Sequence, residues 1–393
     1  MIRPLLAAFL LIAVATPKCG DSSSSDGSSA PLMNFQSIVV NAGPTNNYFN
    51  GAFTSVTLCA PGTSTCQTIG GILVDTGSSG LRLLNDSLTL SLPQQTDSSG
   101  APVAECFPFV DGYTWGAVKS ADIKMGGEQA SSVPIQVIAS PGLPAIPASC
   151  TSFGTAENTL DSLGANGILG VGLFREDCGP GCVNIGSSNP GLYYSCPSAG
   201  CASISQSLAR QVLNPVALFS TDNNGVVIQF PSLPAGGSAT ATGTMVFGIG
   251  TQSNNGLGSA KVFTVDAQGN LSTSYGSQTY GGSYLDSGSN GIFFLDANTT
   301  GLPVCTTSTD FYCPSTLQSQ SATIRGINGA NSAVNFNVGN ADTLNGRFTA
   351  FSEVAGPNPG SFDWGLSFFF GRTVFTAIEG QSTPGGVGPY FAF

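Results

Sequence analysis

An all-β fold built as two similar halves is what this sequence predicts, and three observations predict it. Short alternating runs rich in Val, Ile, Thr, Ser and Phe are broken by Gly, Asn and Pro, with 52 Gly and 24 Pro among 393 residues. Few stretches carry Ala, Leu, Glu or Lys at a helical period. Two segments read almost alike, Ile72-Leu73-Val74-Asp75-Thr76-Gly77-Ser78-Ser79-Gly80 and Ser283-Tyr284-Leu285-Asp286-Ser287-Gly288-Ser289-Asn290-Gly291. Each is followed, at similar but unequal distance, by an apolar segment with glycine: Gly167 to Gly172 and Trp364-Gly365-Leu366. No short-period repeat is present, so one duplication explains the pattern better than a solenoid or propeller.

The elements follow in order. Arg3, the apolar run Leu5 to Ala15 and the closing Ala13-Val14-Ala15 read as a secretory signal over residues 1–15, or to 18 if cleavage falls later. The run is well short of the ~20 residues a membrane span needs. Cys19 then precedes a polar, flexible linker over 19–33. That layout resembles a bacterial lipoprotein with Cys19 as the lipid-bearing residue, while cleavage after Ala15 would free the chain altogether. The linker is too short and polar to fill a cleft, so no separate inhibitory prosegment is expected. Ser37–Val40 and Phe53–Leu58 are expected strands. Ile204–Leu213 is the best helix candidate, with Leu208 and Val212 four apart and Pro215 beyond its end. Strands are expected again at Val216–Ser220 and Gly225–Phe230. The Pro/Gly/Ser stretch from Pro231 to Ser238 marks a boundary between an N-terminal lobe, 34–230, and a C-terminal lobe, 231–393.

Charge and composition narrow the chemistry. A net charge of −11 with only 11 Lys and Arg leaves no basic stripe for nucleic acid. The chain has no histidine, which excludes Ser-His-Asp and Cys-His catalysis and histidine metal sites. Carboxylates, hydroxyls, thiols or the few cations must do whatever is done, and no cofactor or metal is expected. Eleven cysteines, less Cys19, leave ten, an even number suited to disulfides in an oxidising compartment. Cys59 with Cys66 and Cys305 with Cys313 are spaced to close local loops. Cys178, Cys182, Cys196 and Cys201 read as disulfide cysteines or as a four-thiolate zinc site.

On the two Asp-Thr/Ser-Gly-Ser segments and their apolar braces, the chain resembles the pepsin-like aspartic proteases. Ile168-Leu169-Gly170 and Trp364-Gly365-Leu366 look like the family's bracing segments, and Phe368-Phe369-Phe370 with Thr373-Val374-Phe375 like its closing strand. The signal and the style of the chain suggest a bacterial branch, similar to a domain family of unknown function with pepsin-like features. The resemblance implies a bilobal pepsin-like fold with a cleft between lobes and Asp75 facing Asp286 as the catalytic pair. It implies supporting roles for Thr76 and Ser287, which can hydrogen-bond between the loops, for Gly77 and Gly288, and for Ser78 and Ser289, which would hold the outer carboxylate oxygens. The family's flap hairpin corresponds to Phe109, Val110, Asp111, Gly112, Tyr113, Thr114 and Trp115. Its usual tyrosine falls nearest Phe109 or Val110, leaving Tyr113 or Trp115 as substitutes for substrate contact or as cross-strand packing.

The chemistry stands beside the resemblance. Two carboxylates held close share a proton and offer an acid and a base at once, with no metal or covalent intermediate. An exported endopeptidase cutting extended, apolar-leaning peptide is the leading expectation. A catalytically silent binding or surface protein of the same fold is the other. A paired-carboxylate glycosidase would need a wider gap between the acids. A monomer is expected, secreted, periplasmic or anchored at the envelope, touching membrane only through a lipid on Cys19.

Overall fold

A computed structural model describes residues 33–393, apart from 185, 187 and 188. The expected leader, Cys19 and the linker up to residue 32 lie outside the described residues. Among those described, no helix is long and apolar enough to cross a membrane.

The first half opens with β1 (Phe35–Val40), β2 (Ala52–Cys59), β3 (Cys66–Asp75) and β4 (Ser79–Leu84). It continues with β5 (Val103–Pro108), β6 (Gly112–Met125) and β7 (Glu128–Ile138). β3 lies parallel to the strand Gly167–Val171, with Asp75 opposite Gly170, and β4 lies antiparallel on its other side. The second half repeats the device. Gln278–Leu285 runs parallel to Asn358–Trp364, with Leu285 opposite Trp364, and Ile292–Leu295 flanks it antiparallel. Each aspartate thus leaves a strand at a turn whose return strand straddles the same brace, a geometry that repeats only if the sequence register repeats.

The halves share a sheet. β1 pairs with Ala241–Phe247, which continues through Gly225–Gln229, Thr373–Ala377 and Tyr390–Ala392 to Val262–Thr264. The boundary expected at 231–238 therefore lies in the connection between two strands that pair with each other. Seven strands of the second half form a separate sheet. The main apolar core among the described residues runs from Ile38 to Phe391, with smaller buried clusters beside it. In the second half it is aromatic: Trp364, Phe362, Phe294 and Phe336 pack with ring centroids 5.2–5.4 Å apart.

Two expected elements differ. In place of a helix over 204–213 there is one 3₁₀ turn, Leu208–Arg210. Gln206 and Gln211 are buried there and bond to Gln95 and to the Gly179 carbonyl, while Leu208 is exposed. Gln206 and Gln211 share the inside with Val212 and Leu213, a mixture that one apolar face of an amphipathic helix would not give. The strand expected at 216–220 is instead a 3₁₀ turn, Pro215–Leu218. Pro215 opens it, and the Asn214 side chain accepts from the Val216 N–H at 3.1 Å.

The ten described cysteines all pair: Cys59–Cys66, Cys106–Cys150, Cys178–Cys182, Cys196–Cys201 and Cys305–Cys313. The four cysteines that also read as zinc ligands are bonded to one another.

Candidate active site

The two Asp turns meet face to face. In the first, the Gly77 N–H donates to Asp75 Oδ1 at 2.7 Å and the Ser78 hydroxyl donates to Asp75 Oδ2. In the second, the Gly288 N–H donates to Asp286 Oδ1 at 2.7 Å and Ser289 to Asp286 Oδ2 at 2.9 Å. Glycine is required at both turns by proximity. A Cβ on Gly77 would stand 2.6 Å from Asp286 Cγ, and one on Gly288 2.8 Å from Asp75 Oδ1. Each carboxylate occupies the space that a side chain on the opposite turn would need.

A reciprocal set of bonds joins the loops beneath. Thr76 Oγ1 donates to the Leu285 carbonyl at 3.1 Å and accepts from the Ser287 N–H at 2.9 Å. Ser287 Oγ donates to the Val74 carbonyl at 2.8 Å and accepts from the Thr76 N–H at 3.2 Å. Both hydroxyl residues are buried, so each bond is made out of competition with water.

Burial raises the Asp286 carboxyl well above the usual carboxylate range, and the charge of Asp75 and a hydrogen bond to it raise it further. The Gly288 and Ser289 donors oppose this. Two acids so arranged titrate as a pair, and the pair keeps a proton where an isolated aspartate would have lost it.

The cleft above has a volume of about 470 Å³, the scale of a small-ligand pocket or a stretch of peptide. Its lining includes both turns, Leu173, Phe174, Tyr284 and Asn270, and is roofed by Phe107, Pro108, Phe109 and Val110. These last belong to the hairpin of β5 and β6, closed where the Phe109 N–H meets the Gly112 carbonyl at 2.7 Å. Of the flap residues expected from sequence, Phe109 lines the cleft and Asp111 and Gly112 shape the turn. Tyr113 and Trp115 do not reach it. They are buried with Cys106, Cys150 and Tyr194 on the hairpin's other face, Trp115 packing edge-on to Tyr194 at 5.3 Å. Strand alternation explains the split: Trp115 pairs with Cys106, and Phe107 then points to the opposite side.

Two residues near the pair escaped sequence reasoning. Tyr284, one residue before Leu285, lines the cleft, its phenol raised by burial and then by Asp363 and Asp286. Asp363 is buried beside Asp286, and its Oδ1 has no hydrogen-bond partner. Burial and then the Asp286 charge push its carboxyl well up, against a hydrogen bond from Ser289. A signal existed: Asp363 stands opposite Tyr284 as Ile168 stands opposite Leu73, so aligning the two braces exposes an acid in an apolar position.

Comparison with known proteins bears on fold and family. The family described as "Protein of unknown function (DUF3443)" matches residues 30–393. The chain is similar in structure to the aspartic proteinase from Irpex lacteus, with a TM-score of 0.53 and 18% identity, over 91% of this chain and 96% of that one. That likeness is one of fold, the bilobal pepsin-like architecture. No curated protein matches.

Proposed function

Because the chain belongs to the DUF3443 family, whose description carries no activity, we propose its function from the site: an exported aspartic-type endopeptidase. The observation that carries the proposal is the pair Asp75 and Asp286, packed turn against turn with one carboxyl raised by burial and by the other. Sharing one proton, the ionised member removes a proton from water as the oxygen attacks the amide carbon, and the protonated member gives its proton to the carbonyl oxygen. The tetrahedral diol collapses as the C–N bond breaks: one hydroxyl gives its proton to the ionised member while the leaving nitrogen takes the proton from the other, so the pair again holds one proton. The Gly77, Ser78, Gly288 and Ser289 donors hold both carboxyls in place throughout. Phe107, Phe109, Leu173 and Phe174 favour apolar side chains next to the cut bond. The five disulfides among the described residues fit an oxidising compartment outside the cytosol.

The test is cleavage of an unfolded peptide mixture by the protein from about pH 3 to pH 7. Acid-favoured cleavage is expected. Asp75→Asn and Asp286→Asn should each lower it by at least about a hundredfold, the range of a lost acid–base group. A second reading, peptide binding without hydrolysis, has one observation in its favour: the flap offers the cleft Phe107, Pro108, Phe109 and Val110, with no side-chain hydroxyl among them. Peptides retained intact by the wild-type protein at every pH would favour it.

A further inference from the structure

Arg82, Glu105 and Asp177 form an ionic cluster whose side chains have no exposed surface. Arg82 Nη2 donates to Glu105 Oε1 and Asp177 Oδ2, each at 2.9 Å, and its Nη1 donates to the Ser79 carbonyl at 2.9 Å. Arg82 lies on β4, just past the first Asp turn; Glu105 lies on β5, a flap strand; Asp177 belongs to the wall that follows Val171. One guanidinium therefore ties together the floor, the roof and a side of the cleft. Its flat face also carries the Phe107 ring, 3.6 Å from the guanidinium carbon, and Phe109 stacks edge-on against Phe107 at 5.1 Å.

The charges do not balance. One cation faces two carboxyls, and Arg82 Nε and Glu105 Oε2 are left without partners. With both acids ionised, a net negative charge would stand where no water reaches it, and that is costly. One proton held between the carboxyls removes the excess. Burial and then neighbouring Glu105 push the Asp177 carboxyl well above its ordinary range, while Arg82 and Tyr193 oppose this in part. The other groups facing the cluster are Tyr193, whose hydroxyl donates to Asp177 Oδ1 and accepts from the Val212 N–H, both at 2.7 Å, and the neutral Gln136 amide on the Glu105 carbonyl. Burial holds the Tyr193 phenol well up, so it stays a neutral donor.

We propose that this cluster is a proton-controlled anchor for the flap: with one proton, Glu105 and Asp177 close around Arg82 and fix the Phe107–Phe109 roof, and loss of that proton as pH rises loosens β5 and opens the cleft. This adds regulation to the proposed peptidase site, and its test reads the order of the flap rather than hydrolysis, so either can fail alone.

The test is amide hydrogen exchange of the intact protein at about pH 4 and pH 8, corrected for the intrinsic rate. A raised folded-state acid contributes stability that is whole in acid and drains away as pH rises. Protection across 103–118 should therefore fall by about tenfold or more, one pKa unit of coupling corresponding to a factor of ten. The strands Gln318–Arg325 and Asn331–Val338 should hold theirs. Glu105→Gln removes the excess charge and should flatten the fall, with Asp177→Asn as a second route to the same neutral cluster. Unchanged wild-type protection between the two pH values would overturn the anchor, as would a fall of the same size in both variants. Asp75→Asn should leave the fall intact. A flap that loosens in a protein that cuts nothing would sink the peptidase reading and spare the anchor.

Discussion

Ile168 and Asp363 occupy matching places in the two halves, and the difference between them has a measurable cost. Asp363 is buried, and its folded-state pKa lies above the unfolded value. The proton it holds therefore favours the fold below about pH 4, and this contribution is lost as pH rises through the folded-state pKa. Asp363→Ile, copying the other half, should leave stability little changed in acid and raise it at neutral pH by about 1–4 kcal/mol, the range found when apolar residues replace buried ionic groups. Urea unfolding at both pH values decides it, and an Asp363→Ile protein weaker at neutral pH would show that the acid is structurally needed. Asp75 and Asp286 were legible from sequence because a turn motif written twice stands out. Asp363 was not, since a single acid between Phe362 and Trp364 carries no pattern until the halves are laid over each other.

At the scale of elements, alternation in β1 and β2 marked strands correctly, within a residue or two of the expected ends. Ile204–Leu213 misled because its apolar spacing was helical while its glutamines were the residues with buried partners, something periodicity cannot register. A hairpin stands where the flap was expected, but which of its aromatics faces inward depends on strand register, and that is set by the pairing of β5 with β6. The same hairpin is tied to Ala148–Thr151 by Cys106–Cys150, a separation of 44 residues. On the loop-entropy estimate, removing this bridge with paired serines should cost about 4 kcal/mol, against about 2 for Cys178–Cys182, separated by 4. Comparing the urea midpoints of the two double variants tests the ordering; equal losses would mean that strain or residual denatured structure dominates.

Across the whole molecule, the bilobal β plan was readable from duplication and turn spacing, whereas the stitching between halves was not. Asn50 shows why. It is fully buried in the left-handed region, φ 49°, which asparagine tolerates better than most residues. Its Nδ2 donates to the Asn290 and Phe351 carbonyls, both at 2.8 Å, and its Oδ1 accepts from the Phe351 N–H at 2.7 Å. Every one of those partners lies some 240 to 301 positions along the chain, so no local reading could supply them. Asn50→Ala should destabilise the protein by about 2–4 kcal/mol, because buried groups on the second half lose their partners and alanine resists the backbone angle. Thermal unfolding measures it, and a shift under half a kcal/mol would mean that water replaces the amide.

The strand Tyr390–Ala392 lies between Thr373–Ala377 and Val262–Thr264 in the shared sheet. Seen in time rather than in space, Val262–Thr264 leaves the ribosome long before Tyr390–Ala392, the strand it pairs with. A chain stopped at Gly388 already carries Asp75 and Asp286 and still leaves Val262–Thr264 without its neighbour in the shared sheet. Carrying both aspartates and completing the sheet that joins the halves are thus separate events in the making of the chain.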